Sequence, residues 1–342
     1  SRAPLMPLTR FESAVVAARR RGVMHPHEIV RMLEQGAAAD GLPPSRFEEH
    51  DLGEDDLLRS VAGRPPGENE AGVVVGRVRS LPGALVQASG AEAPLIERVL
   101  VLSDPTRRMG ALAEPECRRV LGALDLAARL GVPLEWVAVS AGARIDWETG
   151  TENLDWTARV LARIVRFTKA GGEINIIVPG LCVGAQAYWN AEATMLMHTR
   201  GLLVMTDQGA MVLTGKKALD FSGCVSAEDD LALGGYTSIM GPNGQAQAWA
   251  KNLGDAYKLL HRYYDLTYVP PGAGFAPPRA TADPIDRDVC LTPYPAELDH
   301  GFTTVGEVFA ATHNPDRKRP FAVRPIMGAL SDGDVDPVER WG

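Results

Sequence analysis

The sequence predicts an α/β fold wound as a spiral of strand–strand–helix turns. Two apolar runs of strand length carry that reading, Leu134 to Val139 and Ile174 to Val178. Between them lies a helical stretch with Trp156, Val160, Ile164 and Phe167 on one face, stopped by Gly171-Gly172. Strand, strand, helix, repeated along the chain, is the signature of ββα units.

The elements follow in order. Residues 1–70 begin proline-rich, offer a helix around Pro26 to Gln35, and then run polar and acidic through Glu54-Asp55-Asp56, so they read as a partly helical extension. From residue 72 the pattern changes: Val73-Val74-Val75 and Arg98 to Leu102 read as strands. The next helix carries Cys117, Val120, Leu124 and Ala128 on one face, with Gly131 as its stop. After the strand at 174–178 come a short helix and two brief strand-like runs, 193–198 and 202–206. A last helix carries Trp249, Leu253, Tyr257 and Leu260. These stripes are core rather than cofactor contacts. The body therefore spans 71–270. Beyond Val269-Pro270-Pro271-Gly272 the chain is dense in Pro, Gly and Asp, and 271–342 reads as an irregular connecting arm.

Composition narrows the partners. Hydrophobic residues make up 45% and charged residues 23% of the 342, as in a globular protein with ample core. The net charge of −8, with basic residues clustered only at Arg19-Arg20-Arg21 and Arg317-Lys318-Arg319, speaks against nucleic acid. No apolar run reaches the ~18 residues of a membrane span, and the first residues lack a signal peptide's apolar core. Cys117, Cys182, Cys224 and Cys290 stand far apart without C-x-x-C spacing, which excludes a zinc ribbon and suggests buried free thiols in a reducing cytoplasm.

The segments after the two strands carry the chemistry. They are Ser140-Ala141-Gly142-Ala143-Arg144-Ile145 and Cys182-Val183-Gly184-Ala185-Gln186-Ala187-Tyr188. Small residues there let backbone N–H groups face a ligand, and two such turns together form an oxyanion hole for a thioester carbonyl. Arg144 within the first turn suits a carboxylate, a phosphate or a carbonyl oxygen, and equally a structural salt bridge.

Other motifs fail on inspection. Leu213-Thr214-Gly215-Lys216-Lys217 is no phosphate loop: Gly209 and Gly215 are one residue too far apart, and Lys217 stands where Ser or Thr should hold magnesium. His25-Pro26-His27 lacks partners at metal-ligand spacing and is expected at the surface. No histidine stands beside a Ser or Cys nucleophile in a known motif. Glu148, Glu152 and Asp155 are expected to cap and solvate the helix that follows them.

At these residues the sequence resembles the carboxyltransferase component of biotin-dependent acyl-CoA carboxylases, a branch of the crotonase superfamily. Ser140 to Ile145 matches that family's Ser-x-Gly-Ala-Arg-Ile turn, and Gly184-Ala185 stands in the place of its Gly-Gly or Gly-Ile pair. Leu213-Thr214-Gly215, Leu233-Gly234-Gly235 and Leu266-Thr267-Tyr268-Val269-Pro270 match further signatures. Ala18-Arg19-Arg20-Arg21-Gly22, Arg64-x-Pro66-Gly67-x-Asn69 with Gly72, and Asp283 to Asp288 point to the single-chain, eukaryote-like acetyl-CoA carboxylase branch. The resemblance covers most of residues 18–290. It departs in having Ala185 where bacterial relatives have Gly, and in lacking a zinc ribbon, a Met-Lys-Met biotin site and an ATP-binding domain.

The resemblance implies a ClpP/crotonase fold and the N-terminal half of a carboxyltransferase. Amides of Gly184 and Ala185 would hold the enolate oxygen. Ser140, Ala141, Gly142, Ala143, Arg144, Gly215, Gly234 and Gly235 would bind acyl-CoA. The substrates implied are carboxybiotin, on a separate carrier domain, and an acyl-CoA of the acetyl or propionyl class; no cofactor is covalently bound and no metal is needed. Implied partners are a C-terminal carboxyltransferase half, the biotin carboxyl carrier, biotin carboxylase and further copies in a homo-oligomer, and the chain alone is expected to turn over poorly. Two alternatives stay open: a crotonase-fold decarboxylase or hydratase without biotin, for which Glu148 is the first acid to test, and a silent assembly half.

Overall fold

The structure is a computed structural model that describes residues 7–82, 95–195, 200–223, 226–277, 281–333 and 338–340. Two compact units are present, residues 1–277 with 340–342, and residues 278–339.

The first unit is built on an eight-stranded sheet among the described residues. In chain order its strands are β1 (Ser45–Leu52), β2 (Leu58–Ser60), β3 (Val73–Ser80), β4 (Ile96–Ser103), β5 (Leu134–Val137), β6 (Ile174–Val178), β8 (Leu203–Thr206) and β10 (Ala248–Ala250). Their spatial order is β10-β8-β6-β5-β4-β3-β1-β2. From β4 to β10 the pairing is parallel; β3, β1 and β2 add on antiparallel. Two short strands, β7 (Leu181–Val183) and β9 (Ala210–Val212), pair parallel outside that sheet.

Helices α1 (Arg10–Arg20) and α2 (Pro26–Gln35) precede the sheet. Helices α3 (Glu114–Leu130), α4 (Glu152–Lys169), α5 (Ala185–Ala193), α6 (Lys216–Phe221), α7 (Asp230–Gly234) and α8 (Leu253–Thr267) alternate with the later strands. The predicted α/β spiral is therefore present. Cys117, Val120 and Leu124 of α3 and Val160, Ile164 and Phe167 of α4 are buried in one cluster with Trp136 and Ile176. Gly131 ends α3 in a left-handed conformation, as its position after the apolar stripe predicts. On α5, Trp189 packs against Trp136 with ring centroids 5.6 Å apart, and its Nε1 donates to the Thr157 carbonyl at 3.1 Å. That contact anchors α5 to α4 and fixes where its N-terminus points.

Several sequence expectations differ from the structure. The polar stretch before residue 70 contributes β1 and β2 to the same sheet, because its charged residues are satisfied by one another. Arg64 donates to Asp51 at 2.5 Å and also to Glu49, while Arg119 donates to Asp51 at 2.7 Å. His25 and His27 are buried rather than surface residues, at 1% and 5% exposure. His25 Nδ1 caps α2 by accepting from the His27 amide at 3.2 Å, and His27 Nε2 lies 3.1 Å from Glu49.

Ala128 is exposed and its neighbour Ala127 is the buried residue of α3. Trp249 stands on β10, not on the last helix, and is 45% exposed. Ala193 ends α5 instead of starting a strand, and 196–198 of that expected run lie outside the described residues. Cys117 and Cys182 are buried as expected, but Cys290 is exposed; Cys224 lies outside the described residues.

The expected connecting arm forms the second unit. Tyr294, Phe302, Val305, Val308 and Ala329 make its own small core. Arg287 ties it together by donating to the carbonyls of Ala329 and Ser331 at 2.9 and 2.8 Å. The scattered Pro and Gly hid this cluster, since its apolar residues follow no single period. Among the described residues, no helix is long and apolar enough to cross a membrane.

Candidate active site

The two small-residue turns lie side by side. Ser140 and Cys182 form a parallel bridge: the Ser140 amide donates to Leu181 O at 3.0 Å, and the Val183 amide donates to Ser140 O at 2.9 Å. Ser140 is 1% exposed, and its hydroxyl donates to Gly110 O at 2.7 Å while accepting from the Gly142 amide at 3.0 Å. One side chain thus ties the turn to the loop after β4 and folds it back on itself. Gly142 has φ +90°, a conformation that favours glycine, and a Cβ there would sit a tight 3.1 Å from Val183 O, so a side chain would strain the turn and press on its neighbour.

The fate of each amide decides what the site offers. Ala141 donates to Met109 O at 3.0 Å, and Arg144 to Leu112 O at 2.7 Å. The Gly184 amide, expected as an oxyanion donor, donates to Val212 O at 2.9 Å and is therefore committed. Its φ of +56° is what turns the chain from β7 into α5. The amides of Ala143 and Ala185 have no partner among the described residues. Each lies three positions beyond the bridged pair, Ser140 to Ala143 and Cys182 to Ala185. Ala185 is the first residue of α5, so its N–H is also one of the helix's orphan donors, and the helix dipole adds positive potential there.

The remaining predicted site residues have other employment. Arg144 donates to Asp146 and, at 2.9 Å, to Glu148, so it is a structural cation within its own loop. Asp146 accepts from the amides of Glu148 and Thr149 and from the Thr149 hydroxyl. The Thr149 amide, with Arg144 alongside, holds its carboxyl down at about 2. Glu152 and Asp155 stand in the first turn of α4, as expected of capping charges. Gly215 is the N-cap of α6, where the Lys216 amide donates to Asp230 at 2.7 Å. That carboxylate occupies the helix start and agrees with the rejected phosphate loop. Gly234 and Gly235 bring α7 against β9: a Cβ on Gly234 would lie 2.1 Å from Met211 O, and Gly235 bridges Ala210.

Burial pushes the Cys182 thiol up to about 12, and it donates to Ala138 O at 3.1 Å. Among the described residues no cluster of His, Cys, Asp or Glu could hold a metal ion. What the two turns leave open to a ligand is the two backbone N–H groups of Ala143 and Ala185. Apolar side chains lie exposed around the site: Ile145, Trp147, Tyr188 and Leu213, with Trp147 fully exposed.

Sequence reasoning placed both turns and named the amides of Gly184 and Ala185 as the oxyanion donors; of these the Gly184 amide is taken by Val212 O. That partner, Val212, is remote in sequence, and no local signal marks it. Residues 76–333 match the family model described as a carboxyl transferase domain, which is most of the chain. No curated protein matches it.

Proposed function

The chain belongs to the carboxyl transferase domain family, and from that premise we propose that it is the acyl-CoA-binding half of a biotin-dependent acyl-CoA carboxylase of the acetyl- or propionyl-CoA class. The observation that carries this is the pair of unpaired amides at Ala143 and Ala185 on adjoining turns. A thioester oxygen fits them: two N–H donors, one at a helix N-terminus, stabilise the negative charge that develops when the α-carbon becomes nucleophilic. One such donor is typically worth ~3 kcal/mol of transition-state stabilisation.

Carboxybiotin, on a separate carrier, would supply the CO2. This chain's residues do the complementary work. Ser140 and Gly142 set the turn, Gly184 aims α5, and the two amides hold the enolate oxygen. Against a hydratase stands Glu148, the first candidate acid, which is 81% exposed at its side chain and paired with Arg144. The exposed apolar rim supports docking of a C-terminal carboxyltransferase half against this face, with the carrier reaching the site from that side.

Calorimetry tests the reading. Acetyl- or propionyl-CoA titrated into the chain should give one saturable binding event. Absence of heat even with the second half present would favour a silent assembly role.

A further inference from the structure

The loop from β4 to α3, residues 104–113, grips the first turn. Met109 O accepts from the Ala141 amide at 3.0 Å, and Gly110 O accepts from the Ser140 hydroxyl at 2.7 Å. Leu112 takes both sides of Ala143: its amide donates to Gly142 O at 2.8 Å, and its carbonyl accepts from the Arg144 amide at 2.7 Å. Leu112 and Ala143 thus form a parallel bridge. In such a bridge the residue between the two bonded groups turns its own N–H to the opposite side. The Ala143 amide is free because Leu112 faces it away from the loop.

The loop does not take that shape by its own preference. Arg108, Met109 and Gly110 follow one another at φ of 49°, 54° and 72°, in the left-handed region that residues with a Cβ rarely adopt. A run of three is imposed by its surroundings. The group placed to impose it is the Asp104 carboxylate, 1% exposed at the root of the loop. One oxygen accepts from the Thr106 amide at 3.0 Å and from the Thr106 hydroxyl at 2.5 Å. The other accepts from Asn69 Nδ2 at 3.2 Å, with Arg107 Nε at 3.7 Å and His25 Nε2 at 4.0 Å. The Asp104 amide donates to Gly72 O at 2.8 Å, which ties the root of the loop to the start of β3.

Resting on the carboxyl-transfer reading above, we propose that Asp104 is a positioning residue for that reaction. Its carboxylate fixes the loop whose Leu112 aims the Ala143 N–H at the developing oxyanion. Without that hold the loop relaxes from its left-handed run, and a misdirected donor costs turnover more than binding.

The test is biotin-dependent decarboxylation of malonyl-CoA by the chain assembled with the proposed second half. Asp104→Asn keeps the shape but sets an NH2 against either Asn69 or the Thr106 amide, both donors. Its kcat should fall about 10- to 100-fold, with KM within about twofold of the parent's. Hydrogen exchange should quicken at the Ala141 and Arg144 amides and stay unchanged across β5. Should that variant not fold, Thr106→Val, which strips the hydroxyl from the same carboxylate, takes its place, with Thr106→Ser as the rescue. Parental kcat in the folded variant, a loss that only tracks the unfolded fraction, or unaltered exchange at Ala141 and Arg144 overturns the positioning role alone. A parent assembly that turns over no substrate overturns the carboxyl-transfer reading and this proposal with it.

Discussion

At the scale of single residues, Ser140 decides the geometry of the first turn. Its hydroxyl serves Gly110 O and the Gly142 amide at once, inside a site closed to solvent. Ser140→Ala leaves both groups without a partner, and chemical denaturation should show a loss of about 2 kcal/mol. Asp146 provides a pH signature. Its carboxyl falls from 3.8 to about 2 on folding, so its contribution is complete above pH 3.8 and is lost as the pH drops toward about 2. Asp146→Asn should lower stability at neutral pH and flatten the stability curve within that window, as urea titrations at stepped pH would show. A slope identical to the parent's would contradict the assignment. Cys182, held neutral in its buried position, should resist alkylation by iodoacetamide at pH 8 until the protein is unfolded.

At the scale of elements, β1 shows why part of the fold was hard to read. Its Glu49, His50 and Asp51 carry no apolar alternation, yet all three are buried. Burial alone would raise the carboxyls of Glu49 and Asp51; hydrogen bonds from His27 and Arg64 to the one, and from Arg64 and Arg119 to the other, bring both below their ordinary values. The strand is held by ion pairs whose partners, Arg64 and Arg119, lie elsewhere in the chain, so no local period announces it. Arg64→Met, which strips a partner from two buried carboxylates, should cost about 3 kcal/mol, with β1 amides the first to lose hydrogen-exchange protection. By contrast β6 was legible to the residue, because Ile174 to Val178 is buried on both faces and reads as a continuous apolar run. The turns were legible for a similar reason: small residues after a buried strand are a local pattern. Which amides they leave free was not, since the Gly184 amide is taken by Val212, remote in sequence.

At the scale of the whole molecule, the free amides sit amid exposed apolar side chains. Trp147 stands out, presented on the loop that Asp146 and Arg144 brace. If a second carboxyltransferase half covers this face, Trp147→Ala should weaken their association by about 30-fold or more in sedimentation experiments, the effect of losing a central aromatic anchor worth ~2 kcal/mol. The most direct test of the site concerns Ala185. As the first residue of α5 it accepts proline without loss of a helical hydrogen bond, and proline deletes the N–H alone. In the chain assembled with the proposed second half, biotin-dependent decarboxylation of malonyl- or methylmalonyl-CoA should fall about 100- to 1,000-fold in kcat for Ala185→Pro, with thermal stability and KM little changed. Full turnover by a folded Ala185→Pro protein would contradict the assignment of that amide to the oxyanion.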